Sequence, residues 1–413
     1  MNKTKIRETI SENLVLILFA IICVLEIAVA KQPAAWLVNE IVTRIFRNAI
    51  LILSLLVPVW AGLGLNFSIV IGAMAAQIGL IIVKNFYIGG VGGLALAFVI
   101  SIPFAVIFGF LTGKLFNRTK GQEMITGMIL GFFAKGIYDL VFMFLCGPVI
   151  PIKNPELLLT NGIGLITPIV LDDKTTGAIN NIMKMAPTTF FSIVLVVAVV
   201  WMAALAFMDW RKKGKAFSWK KQYGLFASIA IAAIYFILLF CYPRFRMMFI
   251  LTKIPVATGF VILAVCLFIT YFGRTKLGSD ISAVGQNRDV AASMGINVDS
   301  IRIKATVVST ILASLGQLIF IQDIGNFATY NAHENVGTFA IAALLVGGAS
   351  IRKANIKQVF LGAFLFHTMY AISPIAGREL FGDAQMGEYF RVFACYAVIT
   401  VALVMHSVEN SRK

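Results

Sequence analysis

Charged side chains inside apolar runs are the first residues of this chain whose type and spacing could do chemistry. Lys135 and Asp139 lie four residues apart in the apolar run 124–146. On a helix they would share one face and could form an ion pair. Ionisable residues at membrane depth usually belong to a functional site, such as a solute path, although an ion pair can also be purely structural. Both interpretations of this pair stay open from the sequence.

Four uncharged amide side chains extend the candidate solute path. They are Asn66, Gln77, Gln317 and Gln322. Asn66 separates the apolar runs 49–65 and 67–83 with no room for a loop, which predicts one broken helix or two short helices that meet inside the membrane. A helix break exposes backbone groups that could line a polar path. The alternative is that Asn66 only satisfies the broken backbone.

The chain lacks the sequence patterns of metal, redox and nucleotide sites. The three histidines are scattered, and the five cysteines show no CxxC spacing. The nearest sequence to a nucleotide-binding Walker A motif, GFLTGKL at 109–115, has the wrong spacing. We therefore predict no catalytic residues, no metal ligands and no cofactor bound by this chain.

A polar island, AVGQNRDVAASMGINV at 283–298, lies between two long apolar segments. Asn287 is a favourable N-cap, and Asp289 falls in the first turn, where the helix dipole favours negative charge. Gly295 supplies a left-handed stop. Gly285 and Gly295 would permit tight turns that separate this helix from the helices on either side. The pattern predicts a helix of about seven residues, roughly 10 Å long at 1.5 Å per residue.

This short helix would carry one small apolar face. Val290 and Met294 lie at positions i and i+4. A helix of this length is unstable by itself, so other groups must hold it. It is either an ordinary surface helix or the docking element for a partner.

Composition identifies the class of protein. Hydrophobic residues make up 59% of the 413 residues and charged residues 13%, whereas soluble domains are about half apolar and about a quarter charged. The 35 Lys and Arg against 19 Asp and Glu give a net charge of +16. These basic residues fall between apolar segments rather than in one patch, which argues against nucleic-acid binding.

The apolar segments predict an all-α, polytopic transmembrane bundle of about ten to twelve helices in a single permease domain over 1–413. Several segments are shorter than the roughly 20 residues that a spanning helix needs. The segment 338–350 is predicted to be a half-helix, or a segment packed inside protein rather than against lipid.

The distribution of basic residues orients the chain. It predicts cytoplasmic loops at 112–122, 209–222, 274–304 and 351–357, with both termini cytoplasmic. The long connection 147–187 is then external. The polar island lies in the cytoplasmic loop 274–304, where a soluble partner could reach it.

At these residues the chain resembles the permeases of ATP-binding-cassette importers, in the branch that serves simple sugars, nucleosides and branched-chain amino acids. That family's pattern, A-x-G-x-N-x-x-A-A-x-x-x-G-I, maps onto the following residues: Ala283, Gly285, Asn287, Ala291, Ala292, Gly295 and Ile296. The segments GTFAIAALLVGGAS (337–350) and GLGLNFSIVIGAMAAQIG (62–79) are also similar to family segments. The chain departs from the pattern at Arg288, where proline is frequent, and in the connection 147–187 and the stretch 323–335.

The resemblance implies a type II importer fold, a second permease copy or paralogue, and ATPase subunits that dock on the cytoplasmic loops. ATP and Mg²⁺ would bind to those ATPase chains, and an external binding protein would deliver the solute. It also implies the plasma membrane of a prokaryote. The residues expected to contact the ATPase are Gly285, Asn287, Arg288, Asp289, Val290, Ala291, Ala292, Met294 and Gly295, with Arg288 and Asp289 available for ion pairs.

Three functions compete at this point. The first is the importer permease, with a monosaccharide as the expected solute and a nucleoside as the alternative. The second is an ATP-independent secondary transporter, which the basic stretch RKKGKAFSWKK at 211–221 favours. The third is a membrane enzyme, which the scattered histidines disfavour.

Overall fold

The computed structural model describes residues 14–212, 223–243, 247, 249 and 252–411, and it confirms an all-α architecture. The helices before the long connection are α1 Leu14–Ala30, α2 Ala34–Leu53, α3 Leu56–Trp60, α4 Ile69–Asn85, α5 Gly90–Arg118 and α6 Glu123–Leu140. Those that follow it are α7 Pro187–Lys212, α8 Tyr223–Cys241, α9 Val256–Phe272, α10 Lys276–Gln286, α11 Arg288–Ser293, α12 Val298–Ile324, α13 Val336–Val346, α14 Ile356–Phe381 and α15 Ala384–Ser411.

Short irregular elements complete the described structure. A π-helical turn at Val141–Leu145 ends α6, and the long connection contains one 3₁₀ turn at Pro155–Leu157. Four two-residue strands form two antiparallel pairs. They are β1 Ile169–Val170 with β4 Asn326–Phe327, and β2 Lys184–Met185 with β3 Ile254–Pro255.

Six described helices are long and apolar enough to cross a membrane, or seven if α9 and α10, which meet at a bend of 73°, form one span. Four shorter apolar helices lie at Val15–Ala30, Ile69–Asn85, Ile229–Cys241 and Val336–Val346. Counted together with these four shorter helices, the described residues contain ten or eleven apolar helices, which lies within the predicted ten to twelve. The two counts differ because a helix of fewer than about 20 residues is too short for a typical bilayer core.

The predicted helix break is confirmed, but it is a segment of several residues rather than the single residue Asn66. The backbone leaves the helix between α3 and α4, where Gly62 and Gly64 adopt left-handed conformations with φ of 67° and 72°. The run 49–65 is the end of a longer helix, since α2 begins at Ala34. The sequence pattern missed the first part of α2 because Glu40, among other polar residues, makes it amphipathic.

The predicted half-helix is also confirmed. α13 has 11 residues and extends only about 16 Å. It lies close against α14 through Gly362, where a Cβ atom would come within 1.9 Å of the Ala343 carbonyl oxygen. Ile341 and Leu344 are fully buried, so this short helix is packed within protein.

The described residues form two compact units. The larger comprises 14–31, 44–180 and 258–411, and the smaller comprises 32–43 and the described residues within 181–257. In the larger unit, α12 packs against α4 and α5. The smaller unit contains α7 packed against α8. That the residues 1–413 act as one permease domain stays a prediction.

The two segments that depart from the family pattern pack against each other. Strand β1 of the connection 147–187 pairs with β4 of the stretch 323–335. The Tyr330 hydroxyl donates to the Leu165 carbonyl at 2.8 Å, and the Thr329 hydroxyl donates to the Ile166 carbonyl at 2.6 Å. The connection therefore fixes the position of the polar stretch.

Several topological predictions lie outside the described residues. Residues 213–221 of the basic stretch and both chain ends, 1–13 and 412–413, belong to this group. The assignment of cytoplasmic and external sides stays a prediction, since it depends on the membrane orientation.

Candidate functional site

Helix α11 has the end groups that its sequence predicts. The Asn287 side-chain oxygen accepts hydrogen bonds from the backbone N–H groups of Asp289 at 3.0 Å and Val290 at 3.1 Å. Gly295 ends the helix with φ of 81°. A second asparagine, Asn297, caps α12 by accepting from Ser300 N–H at 3.0 Å. Because both ends of α11 are fixed, its direction relative to α10 and α12 is defined by backbone geometry.

The predicted apolar face of α11 points away from the rest of the protein. Val290 is 53% exposed and Met294 is 71% exposed. Asp289 and Ala292 are also exposed, whereas Ala291 is buried and anchors the helix. Docking of a partner on this surface stays a prediction, and the exposed pair is the surface available for it.

Arg288 is paired within the chain, and an ion pair between Arg288 and a partner protein stays a prediction. Its guanidinium donates to the Glu123 carboxylate at 3.0 Å and to the Gly62 carbonyl oxygen at 3.0 Å. Arg288 therefore holds α11 against the start of α6 and the break before α4. The sequence pattern suggested an outward ion pair because an arginine next to Asp289 resembles a solvated surface charge, and only tertiary contacts bring Glu123 to it.

Glu123 and Arg302 are functional candidates that the sequence analysis did not single out. Arg302 is fully buried and also binds the Glu123 carboxylate, and it donates to the Phe116 carbonyl at 3.3 Å. Glu123 is 7% exposed. One buried carboxylate thus joins α6, α11 and α12. The sequence did contain one signal for this pair, because Arg302 lies between two isoleucines at the start of α12. A cation that is buried there requires a partner of opposite charge.

Gly285 lies inside α10, so the predicted tight turn at this residue is wrong. A Cβ atom at Gly285 would come within 2.0 Å of the Trp60 carbonyl oxygen and 3.0 Å of the Gly62 N atom. The glycine is required because α10 crosses the helix break at backbone contact. A cavity of about 410 Å³ lies beside this crossing, and residues from 62–64, 121–125 and 284–288 line it.

Replacing Gly285 by alanine is therefore expected to destabilise the protein. The added methyl group would overlap the Trp60 carbonyl, so the two segments must separate. We expect a lower apparent Tm of the detergent-solubilised protein and a smaller amount in the membrane. The control is Gly136→Ala in α6, where no atom lies within 4 Å of the added Cβ. Equal stability of the two variants would contradict the close crossing.

The predicted path residues occupy three different environments. Asn66 is buried, and its side-chain oxygen accepts from the backbone N–H of Ser68 at 3.0 Å and from the Ser68 hydroxyl. This geometry corresponds to the alternative in which Asn66 satisfies the broken backbone. Its role in a path stays a prediction.

Gln77 and Gln317 are brought to one buried cluster. Gln77 Oε1 lies 2.9 Å from His333 Nδ1, and Gln317 Nε2 donates to the Ala332 carbonyl at 3.3 Å. Burial lowers the pKa of His333 to about 4, so its ring is neutral at neutral pH. The cluster fixes the stretch that joins α12 to α13.

The ion pair of Lys135 and Asp139 forms as predicted, at 3.1 Å. Lys135 also binds Glu334 at 2.9 Å. The ion pair is therefore attached to the stretch 323–335, which Gln77 also contacts through His333. Gln322 lies in a separate network, in which its amide donates to Asn180 at 3.0 Å. Of the predicted path residues, the structure therefore connects four to 323–335: Gln77, Gln317, Lys135 and Asp139.

Comparison with known proteins gives one family match and several partial relatives. Residues 174–403, more than half of the chain, match the family model described as branched-chain amino acid transport system / permease component. The chain is 26% identical over 162 residues to the nucleoside ABC transporter permease protein NupC of Lactococcus lactis subsp. cremoris, covering 39% of this chain and 48% of that protein. It is 34% identical over 95 residues to the autoinducer 2 import system permease protein LsrC of Yersinia pestis, covering 22% and 27%.

The LsrC protein of Yersinia pseudotuberculosis is similar to the same extent, at 35% identity over 95 residues. The chain thus spans less than half of the length of the curated relatives it matches. No solved structure shows a significant match to it.

Proposed function

Because this chain belongs to the family of branched-chain amino acid transport system permease components, we propose that it is the membrane-spanning permease subunit of an ATP-driven importer. The observation that carries this proposal is helix α11. Its ends are capped, Arg288 holds it in place, and its apolar pair Val290 and Met294 is uncovered. An ATPase subunit would cover this pair and use α11 as its attachment point.

The ion pairs of Glu123 suggest how movement would be transmitted. When the ATPase subunits close on nucleotide, they would displace α11 as a rigid body. Arg288 and Glu123 would pass that displacement to α6, and Arg302 would pass it to α12. Since α12 packs on α4 and α5, several helices of the larger unit would change their packing together.

The remaining parts of the importer are other chains. We propose a separate ATPase that binds ATP and Mg²⁺, a second permease copy or paralogue, and an external binding protein that delivers the solute. The assembly would lie in the plasma membrane of a prokaryote, with both termini of this chain in the cytoplasm. This chain itself would act as a transport subunit without a catalytic residue.

The proposed solute is a small polar molecule, with a monosaccharide as the first choice. The segment GGAS at 347–350 is similar to that of the simple-sugar members, and buried amides such as Gln77 and Gln317 suit a neutral solute. A nucleoside is the second candidate, favoured by the similarity to a protein named as a nucleoside permease.

The test is uptake into proteoliposomes that contain this chain with its ATPase and binding protein. We expect accumulation of radiolabelled D-ribose or uridine only when MgATP is present on the ATPase side. Ionophores that collapse ion gradients should leave that uptake unchanged. Uptake without an ATPase subunit, or uptake abolished by the ionophores, would instead support an ATP-independent secondary transporter.

A further inference from the structure

A cavity of about 230 Å³ lies where the stretch 323–335 meets α13. We propose that this cavity binds the neutral, hydroxyl-rich ring of the solute during its passage, an inference that rests on the proposed function. The polar lining residues are Asn48, Asn331, Asn335 and His367, and Phe320 and Phe339 supply aromatic walls. The helices α12, α13 and α14 each contribute lining residues, and α2 contributes Asn48.

The amide groups of the lining are available to a ligand. Asn335 precedes α13, yet its side chain makes no capping hydrogen bond to that helix. Asn331 and Asn335 are both exposed. Asn48 lines the cavity, and its amide nitrogen donates to the Arg44 carbonyl at 2.9 Å, which leaves its side-chain oxygen as an acceptor. Amides supply both donors and acceptors, which matches hydroxyl groups that can act as either.

The half-helix α13 begins at this cavity, because Val336, its first residue, forms part of the wall. The N-terminus of a helix carries a partial positive charge and backbone N–H groups without intrahelical partners. Discontinuous helices in transporters present such ends to the solute. A hydroxyl oxygen is a suitable acceptor for these groups.

The lining favours a solute without net charge. None of the eleven described lining residues is Asp, Glu, Lys or Arg. Arg47, whose guanidinium lies 5.9 Å from the centroid of the Phe320 ring, is not a lining residue and is paired with Asp323. A zwitterionic amino acid would have to leave water without a fixed counter-charge for either group, which is costly. The ring of a monosaccharide, or the sugar ring of a nucleoside, pays no such cost.

The aromatic residues and the size of the cavity agree with a single ring. Phe320 and Phe339 offer apolar faces to the C–H groups of a sugar, while amides contact its hydroxyls. The volume is below the roughly 300–1,000 Å³ of sites for drug-sized ligands. The solute class is therefore one small ring with several hydroxyl groups.

The cavity is preorganised because its central stretch is fixed from several sides. His333 contacts Gln77, and Glu334 binds Lys135 at 2.9 Å. Strand β4 at the start of the stretch pairs with β1. These contacts hold the backbone around Asn331 and Asn335, so the two amides need no large rearrangement to meet a ligand. The charges and buried amides near the cavity thus act as positioning residues.

The experiment compares the double variant Asn331→Leu/Asn335→Leu with the wild-type chain in the reconstituted importer. The KM for D-ribose and, separately, for uridine is measured, together with the basal rate of ATP hydrolysis. We expect KM to rise at least about tenfold, because two hydrogen bonds to the ring are lost. The basal rate of ATP hydrolysis reports whether each variant still assembles with the ATPase. The matched control is Gln385→Leu, an exposed amide outside the cavity.

The two probes distinguish the source of the ring, since uptake of D-ribose alone indicates a free monosaccharide and uptake of uridine alone a nucleoside. A second variant, Asn331→Ser/Asn335→Ser, keeps a hydroxyl at each position and should show a smaller rise in KM. An unchanged KM in the leucine variant would overturn the cavity proposal while leaving the importer intact. ATP-driven uptake of L-leucine in preference to both probes would also overturn it, whereas the absence of any ATP-driven uptake by the wild type would refute the proposed function itself.

Discussion

Replacing Val290 and Met294 together by aspartate is expected to reduce ATP-driven uptake by at least about 100-fold while the chain still folds in the membrane. Both side chains are exposed, at 53% and 71%, so the fold does not depend on them. Covering each apolar side chain contributes about 1.5–3 kcal/mol to association. The variant loses this favourable contribution to the free energy of association, and docking would also remove two carboxylates from water. Since each 1.4 kcal/mol is about tenfold in affinity, docking of the ATPase should fail.

The measurement has two parts, uptake in proteoliposomes and copurification of the ATPase subunit with this chain. Ile163→Asp provides the matched control, since Ile163 is also exposed, at 43%, but lies in the connection 147–187. It should retain wild-type uptake and copurification. Normal copurification of the Val290→Asp/Met294→Asp variant would mean that the ATPase docks elsewhere.

Replacing Glu123 by leucine is expected to have the largest effect on stability. Arg302 is fully buried and would lose its carboxylate partner, and Arg288 would lose the anchor that holds α11. Removing one member of a buried ion pair costs about 3–5 kcal/mol, because the remaining charge stays in the protein without compensation. We expect a lower apparent Tm in detergent and little protein in the membrane.

Adding a second substitution, at Arg302, separates the effect on folding from the effect on the transmission of movement from α11. In Glu123→Leu/Arg302→Met no unpaired buried cation remains, so most of the lost stability should return. Uptake should stay low, because Arg288 still lacks its carboxylate. Glu156→Leu, which removes an exposed carboxylate, controls for loss of charge and should match the wild type. Full uptake by the stable double variant would show that the Glu123 link does not transmit movement.

The local features of the candidate site could be predicted from neighbouring residues. Asn287 caps α11 and Gly295 ends it as expected, since capping depends on side-chain chemistry within a few residues. The ion pair of Lys135 and Asp139 follows from helical periodicity in the same way. The family resemblance drawn from this region is confirmed by the family match over 174–403.

Contacts between distant segments could not be predicted. The Arg288 side chain binds Glu123, 165 positions away in the chain, and no local pattern specifies that pairing. The role of Gly285 was misinterpreted for the same reason, because its small size is needed by Trp60 of another helix. The first part of α2 was missed because its polar residues hide its apolar face from a search for continuous apolar runs.

The sequence alone determined that this chain is an all-α membrane protein with a capped surface helix, since composition and helical periodicity act through short-range chemistry. Only the tertiary structure decided what that helix is attached to and which polar residues surround a cavity. Arg302 acquires its role from Glu123, and Asn335 acquires its role from the other residues that line the cavity with it. These partners lie in separate helices, and their distances depend on how the whole bundle closes.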